Sequence, residues 1–433
     1  MNKRGGTWKR GVNLEKKKGI FYGWWIVVAC TLIMATFFTL LLSCLGLFTV
    51  PMTEDLGISR TAFSTFSTIT SILGMILSPV AGKVLAVRDT RKIMTVSLLI
   101  AVIGYTCLSF VNNVVLLYIL AFVIGTGSVF CTTVPIAVVL TRWFVKDRSK
   151  AMSITFAGSS IGAMILSPVI SSIIESLGWR MAFRILGLGM LVILVPIVFL
   201  LVRSKPEDKG LKALGADEAV KAGATAEAGM TGLPLRELRR HATFWVYVIG
   251  IFVMLLTMGA MYHMPAHISG SLGISADLAA TFVSIYSLVA IFGKLIMGAV
   301  FDRFGVKAGI LLGTVCMGLC YVFLIIAKSF PMLIVVAVFY GLGSAHGTIF
   351  PPTLTSKLFG SKYYSEVFGF VNAFASLALA VCNIIMAAPY DITGSYTLSW
   401  IIGLAAAILA TVLLFASSTG AKKLMVEKAS ENI

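Results

Sequence analysis

Stretches of 18 or more predominantly apolar residues recur about twelve times along this chain of 433 residues, each long enough to cross a hydrocarbon layer about 30 Å thick. Inside lipid no water is available to bond free N–H and C=O groups, so segments of this length must be helical. We predict an all-α, polytopic membrane protein with spans at 24–50, 60–84, 92–111, 115–141, 151–174, 181–202, 244–267, 278–300, 308–327, 331–356, 365–388 and 396–418. Composition agrees: 58% of residues are hydrophobic and 12% charged, against roughly 25% charged in soluble domains. An ordinary soluble enzyme, a disordered chain and a fibrous repeat are excluded, and too little chain remains for a separate catalytic domain.

The net charge of +17 would suit nucleic acid if the cations formed one patch, but their placement follows topology instead. With the N-terminus inside, cytoplasmic segments hold 30 of the 35 Lys and Arg residues, and external loops hold four, Arg60, Arg180, Arg184 and Lys328. This is the positive-inside signature. It predicts a multi-pass protein of the cell (inner) membrane with both termini cytoplasmic, basic loops against anionic lipid, and no nucleic-acid partner.

The Lys16-Lys17-Lys18 run enters a long span without a short apolar region and small-residue cleavage site, so no cleavable signal is expected. All seven cysteines fall in predicted spans without Cys-x-x-Cys or Cys/His ligand spacing. Cys316 and Cys320, one turn apart, read as packing residues, and no metal or cofactor is expected.

The chain also repeats itself. Leu56-Gly57-Ile58-Ser59 recurs half a chain later as Leu272-Gly273-Ile274-Ser275, and the same offset relates Thr65 to Thr281, Phe66 to Phe282, Ser71 to Ser287 and Gly82 to Gly298. A register held through a whole span equates span 2 with span 8 and predicts two pseudo-symmetric six-helix halves. The expected organisation is a cytoplasmic tail over 1–23, a bundle over 24–202, an Ala/Gly/Lys/Glu-rich linker over 203–243, a second bundle over 244–418 and a tail over 419–433.

Six plus six helices, with both ends inside and a long central loop, resembles the major facilitator superfamily. The loop Gly298-Ala299-Val300-Phe301-Asp302-Arg303-Phe304-Gly305-Val306-Lys307 resembles that superfamily's Gly-x-x-x-Asp-Arg-x-Gly-x-Lys/Arg loop. The resemblance implies that Asp302, with Arg303 and Gly298 beside it, caps a helix N-terminus of the opposite half near Ser149 and holds the cytoplasmic side shut in one state. Without the resemblance it is a charged loop that fixes topology. The first-half copy has Ala86 at the acidic position, so a gate built on these loops is lopsided.

The run Trp143-Phe144-Val145-Lys146-Asp147-Arg148, followed by Ala157-Gly158-Ser159-Ser160 and Gly162, resembles the signature that opens helix 5 of monocarboxylate transporters. Phe21-Tyr22-Gly23-Trp24-Trp25 is similar to the Gly/Trp box of their helix 1 and to prokaryotic oxalate/formate antiporters. In physical terms Gly158 and Gly162 form a Gly-x-x-x-Gly face for close helix approach, serving either packing or a gating hinge, and Pro168 can kink the same helix. Trp24 and Trp25 fit an interfacial aromatic belt.

Lys294 is the one unambiguous charge inside a span. At a helix centre such a residue costs roughly 2.5–3.5 kcal/mol on insertion scales, so an isolated one points to function. Ser287 lies two turns along the same face. The monocarboxylate family carries an arginine in helix 8, followed four residues later by glycine, as its anion-binding cation; Lys294 with Gly298 matches that spacing, so the resemblance implies that role. Lysine departs from it by being a point charge where arginine is a bidentate fork. The family's helix 8 acid is Ala290 here, and its basic residue in helix 1 falls near Ser43. A lysine paired with a backbone carbonyl is the structural alternative.

No Asp or Glu sits deep in a span; Glu54, Asp55, Glu175, Asp277 and Asp391 fall at external ends. Candidates for proton coupling are therefore His346 in span 10, His263 and His267 at the outer end of span 7, and Lys294 itself. His346 lies among Gly341, Gly343, Ser344 and Gly347, small residues that suit a cavity wall, although lone helix histidines more often serve packing. Tyr340 and Ser344 share a face, and Tyr340 suits a carboxylate hydrogen bond. Asn372, Tyr262 and Ser159 are further candidates for binding. Phe350-Pro351-Pro352 is expected to break span 10 near its cytoplasmic end.

These features predict a monomeric secondary transporter moving a small organic anion, a monocarboxylate first, by alternating access, with protons or a counter-anion as the coupled species. The alternative is an exporter of drugs or other amphipathic compounds, with 19 Met and 28 Phe supplying an adaptable wall. No Ser/His/Asp arrangement supports a membrane enzyme.

Overall fold

In the computed structural model, the structure describes residues 21–216, 232–268, 272–274 and 276–431. Most of the expected tail over 1–23, the middle of the linker, and Ser275 lie outside these residues, as do the side chains of Tyr262, Asp277 and Asp391. Among the described residues twelve helices are long and apolar enough to cross a membrane: α1 Gly23–Leu56, α2 Ala62–Val87, α3 Thr90–Phe110, α4 Val114–Trp143, α5 Arg148–Leu177, α6 Trp179–Leu201, α7 Ala242–Gly259, α8 Thr281–Arg303, α9 Gly305–Ile326, α10 Phe330–Gly347, α11 Tyr364–Tyr390 and α12 Thr397–Glu427. Short polar residues cap the starts of α2, α3 and α4. Ser59 accepts Ala62 N, Asp89 accepts Arg91 N and Asn113 accepts Leu116 N, each satisfying a donor the first turn leaves without a partner.

Two segments differ from expectation. The residues after 418, read as a tail, continue α12 as helix to Glu431, because nothing in Ala421-Lys422-Lys423-Leu424 breaks a helix. Span 10 breaks earlier than Pro351: its helix ends at Gly343, a 3₁₀ turn covers Ser344–Gly347, and a separate helix runs Phe350–Phe359. The prolines sit in the first turn of that new helix, where a missing N–H costs nothing.

The repeat extends further than span 2. Gly125-x-Gly127-Ser128 in α4 recurs as Gly341-x-Gly343-Ser344 in α10 at the spacing that carries Gly82 to Gly298, and Pro135 recurs as Pro351. Their packing repeats too. A Cβ on Gly125 would meet Thr70 and Leu73 of α2, and one on Gly341 would meet Tyr286 and Val289 of α8, the repeat equivalents of those two neighbours. Gly127 abuts Ala101 and Gly343 abuts Met317, again an equivalent pair. Gly347 faces Met258 of α7. These small residues therefore serve helix–helix packing, which corrects the reading of 341–347 as a cavity wall.

The linker folds back onto the first half. Trp143 Nε1 donates to Arg203 O at 3.0 Å, Lys146 N donates to Leu214 O at 2.9 Å, and Leu214 N donates to Trp143 O at 3.0 Å. Trp24 is packed against Phe144, with ring centroids 5.2 Å apart, so of the expected aromatic belt only Trp25 is well exposed.

Candidate functional site

The two halves meet along two seams related by the internal repeat. In the α5/α8 seam a Cβ on Gly298 would lie 2.0 Å from Ser153 Oγ and 2.8 Å from Ser149 O. In the α2/α11 seam one on Gly82 would lie 2.3 Å from Ser365 O. Gly298 is the repeat equivalent of Gly82, and Ser365 that of Ser149. One turn inward from each glycine sits the equivalent pair Ser78 and Lys294. Ser78 Oγ accepts Asn372 Nδ2 at 2.9 Å. Lys294 crosses to α5, where its ammonium donates to Ser160 Oγ at 2.9 Å, Ser159 Oγ at 3.0 Å and Phe156 O at 3.3 Å.

The shape of α5 at this point comes from its glycines. A Cβ on Gly158 would lie 2.7 Å from Thr31 O, and one on Gly162 only 1.9 Å from Ala35 O. Close approach to α1 turns the opposite face of α5, with Ser159 and Ser160, toward α8. Ala35 lies in a π turn over Met34–Phe38. Thr39 Oγ1 is within hydrogen-bond distance of Met34 O (2.8 Å) and of Ser159 O (3.0 Å), so it serves the carbonyl that the π turn displaces and ties α1 to α5.

Lys294 is buried, with 5% of its surface exposed, and its three N–H donors meet three neutral oxygens. Among the described residues no carboxylate pairs with it. It faces the other half of the protein, not lipid. A cation held this way, away from water, is a strong attractor for an anion, because charge pairing strengthens as the local dielectric falls.

The other expected site residues are dispersed. Ser287 lies half-buried two turns along α8, and Tyr340 is buried on α10 with its ring edge-on to Tyr286 at 5.2 Å. Ser344 Oγ donates back to Gly341 O at 2.7 Å, and Ser43 is exposed where α1 passes from the helical turn Thr39–Leu42 into a 3₁₀ turn over Leu45–Phe48. Asn372 belongs to the opposite seam, bonded to Ser78. His346 is fully buried, with its ring edge-on to Phe350 at 4.6 Å. Neither of its nitrogens has a hydrogen-bond partner among the described residues. Among the described residues no group of His, Cys, Asp or Glu comes together that could hold a metal.

At the linker end of the α5/α8 seam, Asp302 Oδ2 accepts the N–H of Lys150 in the first turn of α5 at 2.9 Å, and Oδ1 pairs with Lys357 Nζ at 3.1 Å. An anionic group at a helix N-terminus is favoured by the helix dipole. The repeat-related position holds Ala86, and Glu366 lies in the first turn of α11. Ser160 and Ser78 do not stand out as site residues in the sequence, yet Ser78 is the repeat equivalent of Lys294, which is the signal that finds it.

Two repeated six-helix halves that meet along two seams, with Lys294 the one buried cation among the described residues, have the build of a membrane carrier. The family model of the Major Facilitator Superfamily matches residues 26–270 and 260–428, and the chain belongs to that superfamily; it is a transporter and not an enzyme. It is similar to monocarboxylate transporter 12 of Mus musculus, 25% identical over 414 residues and covering 91% of this chain and 85% of the relative. Human monocarboxylate transporter 2 is 24% identical over 436 residues, covering 95% and 89%. Two solved structures share the fold. The proton:xylose symporter XylE matches with a TM-score of 0.69 at 16% identity, covering 91% of this chain and 95% of that one. The human organic anion transporter MFSD10 matches with a TM-score of 0.70 at 15% identity, covering 91% and 98%.

Proposed function

We propose that the protein moves a small organic anion, a monocarboxylate first, across the cell membrane by alternating access, with Lys294 as the anion-binding cation. One observation carries this reading: a buried ammonium whose partners are all neutral oxygens. An arriving carboxylate supplies the missing charge, and Ser160 Oγ can turn to donate to it. The names of the relatives, monocarboxylate transporters at about 25% identity, agree in substrate class.

On this reading residues 24–202 and 244–418 are the two moving bodies, and the basic linker face is cytoplasmic, since 30 of 35 cations lie on that side. The structure then represents the state sealed toward the cytoplasm, with Asp302 latching the α5/α8 seam and Gly158 and Gly162 forming the bearing surface of α5 on α1. Anion binding neutralises Lys294, which lowers the cost of closing the cavity around it and couples occupancy to the switch. Coupling runs by proton symport through Lys294 or His346, or by anion exchange, which needs no titrating group.

The test is uptake of labelled short carboxylates into proteoliposomes. Lys294→Met is expected to abolish uptake, and Ser160→Ala to weaken binding. Uptake by Lys294→Met at the wild-type rate would overturn the assignment. Counterflow at two pH values separates symport from exchange.

A further inference from the structure

The linker side carries a second feature that the transport pathway does not use. A cavity of about 430 Å³ lies where α2, α7, α11 and the linker meet, lined by Lys83, Arg236, Arg239, Arg240, Trp245 and Glu366. The short linker helix Leu235–Leu238 positions the arginines: Leu235 and Leu238 are buried, so Arg236, Arg239 and Arg240 turn outward. Trp245 Nε1 donates to Arg239 O at 2.9 Å, and the Arg239 guanidinium lies over the Phe370 ring at 5.6 Å, which fixes the far wall. Four cations face one carboxylate here, and among the described residues none of the four is ion-paired. An anionic ligand fits that balance.

Two apolar stripes lead from this cavity along the helices. On α2, Ile76 and Val80 are 54% and 45% exposed and share one face with Lys83 at i, i+4, i+7 spacing. On α7, Trp245 and Ile249 are exposed at i, i+4. A basic pocket at a helix end, continuous with apolar tracks along the spans, matches the build of a lipid, with an anionic head for the pocket and acyl tails along the helices.

We propose that this cavity binds the headgroup of an anionic phospholipid and that the bound lipid clamps α2 to α11. Lys83 belongs to the first half, the three arginines lead into the second, and the cavity sits beside the Gly82–Ser365 contact that closes the linker side. Parting of α2 from α11 separates Lys83 from the arginines, so the lipid binds the closed arrangement more tightly and shifts the population toward it. The clamp rests on the alternating-access reading; the lipid site itself does not.

The experiment uses the full-length protein in phosphatidylcholine vesicles with and without phosphatidylglycerol. Lipid retained through purification is measured by native mass spectrometry, and hydrogen exchange is followed over 78–87 and 364–372. Wild type is expected to retain phosphatidylglycerol in preference to phosphatidylcholine, with slower exchange in both segments when it is present. Arg236→Gln, Arg239→Gln and Arg240→Gln each weaken retention by about fivefold, from the attraction of one basic residue to anionic lipid. Lys83→Gln, on an exposed helix face, repeats the test should the arginine variants fold poorly. Equal retention of the two lipids, wild-type retention in the variants, or displacement of the lipid by soluble glycerol phosphate overturns the site. Selective retention without slower exchange overturns the clamp alone. Neither readout depends on Lys294 or on uptake, so this proposal and the transport reading fail separately.

Discussion

Gly82→Ala tests whether the seams set the conformational equilibrium. The new Cβ would lie 2.3 Å from Ser365 O, 3.1 Å from Ser365 C and 3.2 Å from Glu366 Cα. All three are backbone atoms of α11, so no rotamer change relieves the overlap. A comfortable carbon–oxygen contact is about 3.3 Å, so α2 and α11 must part by about 1 Å. That movement stretches the 2.9 Å Asn372–Ser78 hydrogen bond beyond bonding range. Overpacking of this kind costs about 1–3 kcal/mol. The helix-propensity gain of alanine over glycine applies to α2 in every state and cancels from the equilibrium. The cost falls only on the arrangement closed toward the linker, so its population relative to the opposite state should drop by about 5- to 150-fold. Spin labels at Val87 and Lys362, both exposed, would report the longer distance by pulsed electron resonance. Gly189→Ala is the control, since nothing lies within 4 Å of its Cβ. A Gly82→Ala distance distribution superimposable on wild type and on the control would refute the reasoning.

Other outcomes follow from the same contacts. Asp302→Asn removes the ion pair to Lys357 and weakens the cap on α5, and should loosen the α5/α8 seam by about 1 kcal/mol, read as a modest shift in the same distance experiment. Lys294→Met should raise the melting temperature while uptake is lost, because it removes an ammonium from a buried site with no counter-charge; a lower melting temperature would show that the lysine serves stability. Asp89 caps α3. Burial alone would raise its pKa, but hydrogen bonds from Ser204 Oγ and from the backbone of Arg91 and Lys92, together with the Lys92 charge, hold it below the ordinary carboxylate value. Its contribution to stability is therefore present above about pH 4 and lost as pH falls through the lowered value. The melting-temperature gap between wild type and Asp89→Ala should accordingly be open at pH 7 and closed under strong acid.

The twelve spans and the doubling of the chain were legible because lipid imposes length and apolarity on every helix and because duplication leaves a fixed offset. The break in α10 was misplaced because proline is the obvious breaker, whereas the packing of Gly343 on Met317 and Gly347 near Met258 accompanies the turn, and the prolines merely open the next helix. Lys294 could be picked out as an isolated charge and Ser159 as a further candidate, yet their pairing could not: Ser159 and Ser160 are 135 and 134 residues away, and which face of α5 turns toward α8 depends on Gly158 and Gly162 meeting α1. The bond from Asn372 to Ser78 was not legible either, because hydropathy does not report which side chains meet across a seam. The repeat offset, applied to Lys294, leads to Ser78 and thence to that seam.

Duplication placed one position at two equivalent points, and the copies have diverged in kind. At Ser78 a hydroxyl meets an amide, a junction indifferent to the charge of whatever occupies the space between the halves. At Lys294 a full charge lies among neutral dipoles, so on the proposed reading that junction is the one that senses an incoming ion. On that reading a two-fold frame carries a one-sided sensitivity: cargo would speak through one copy, and its twin would follow.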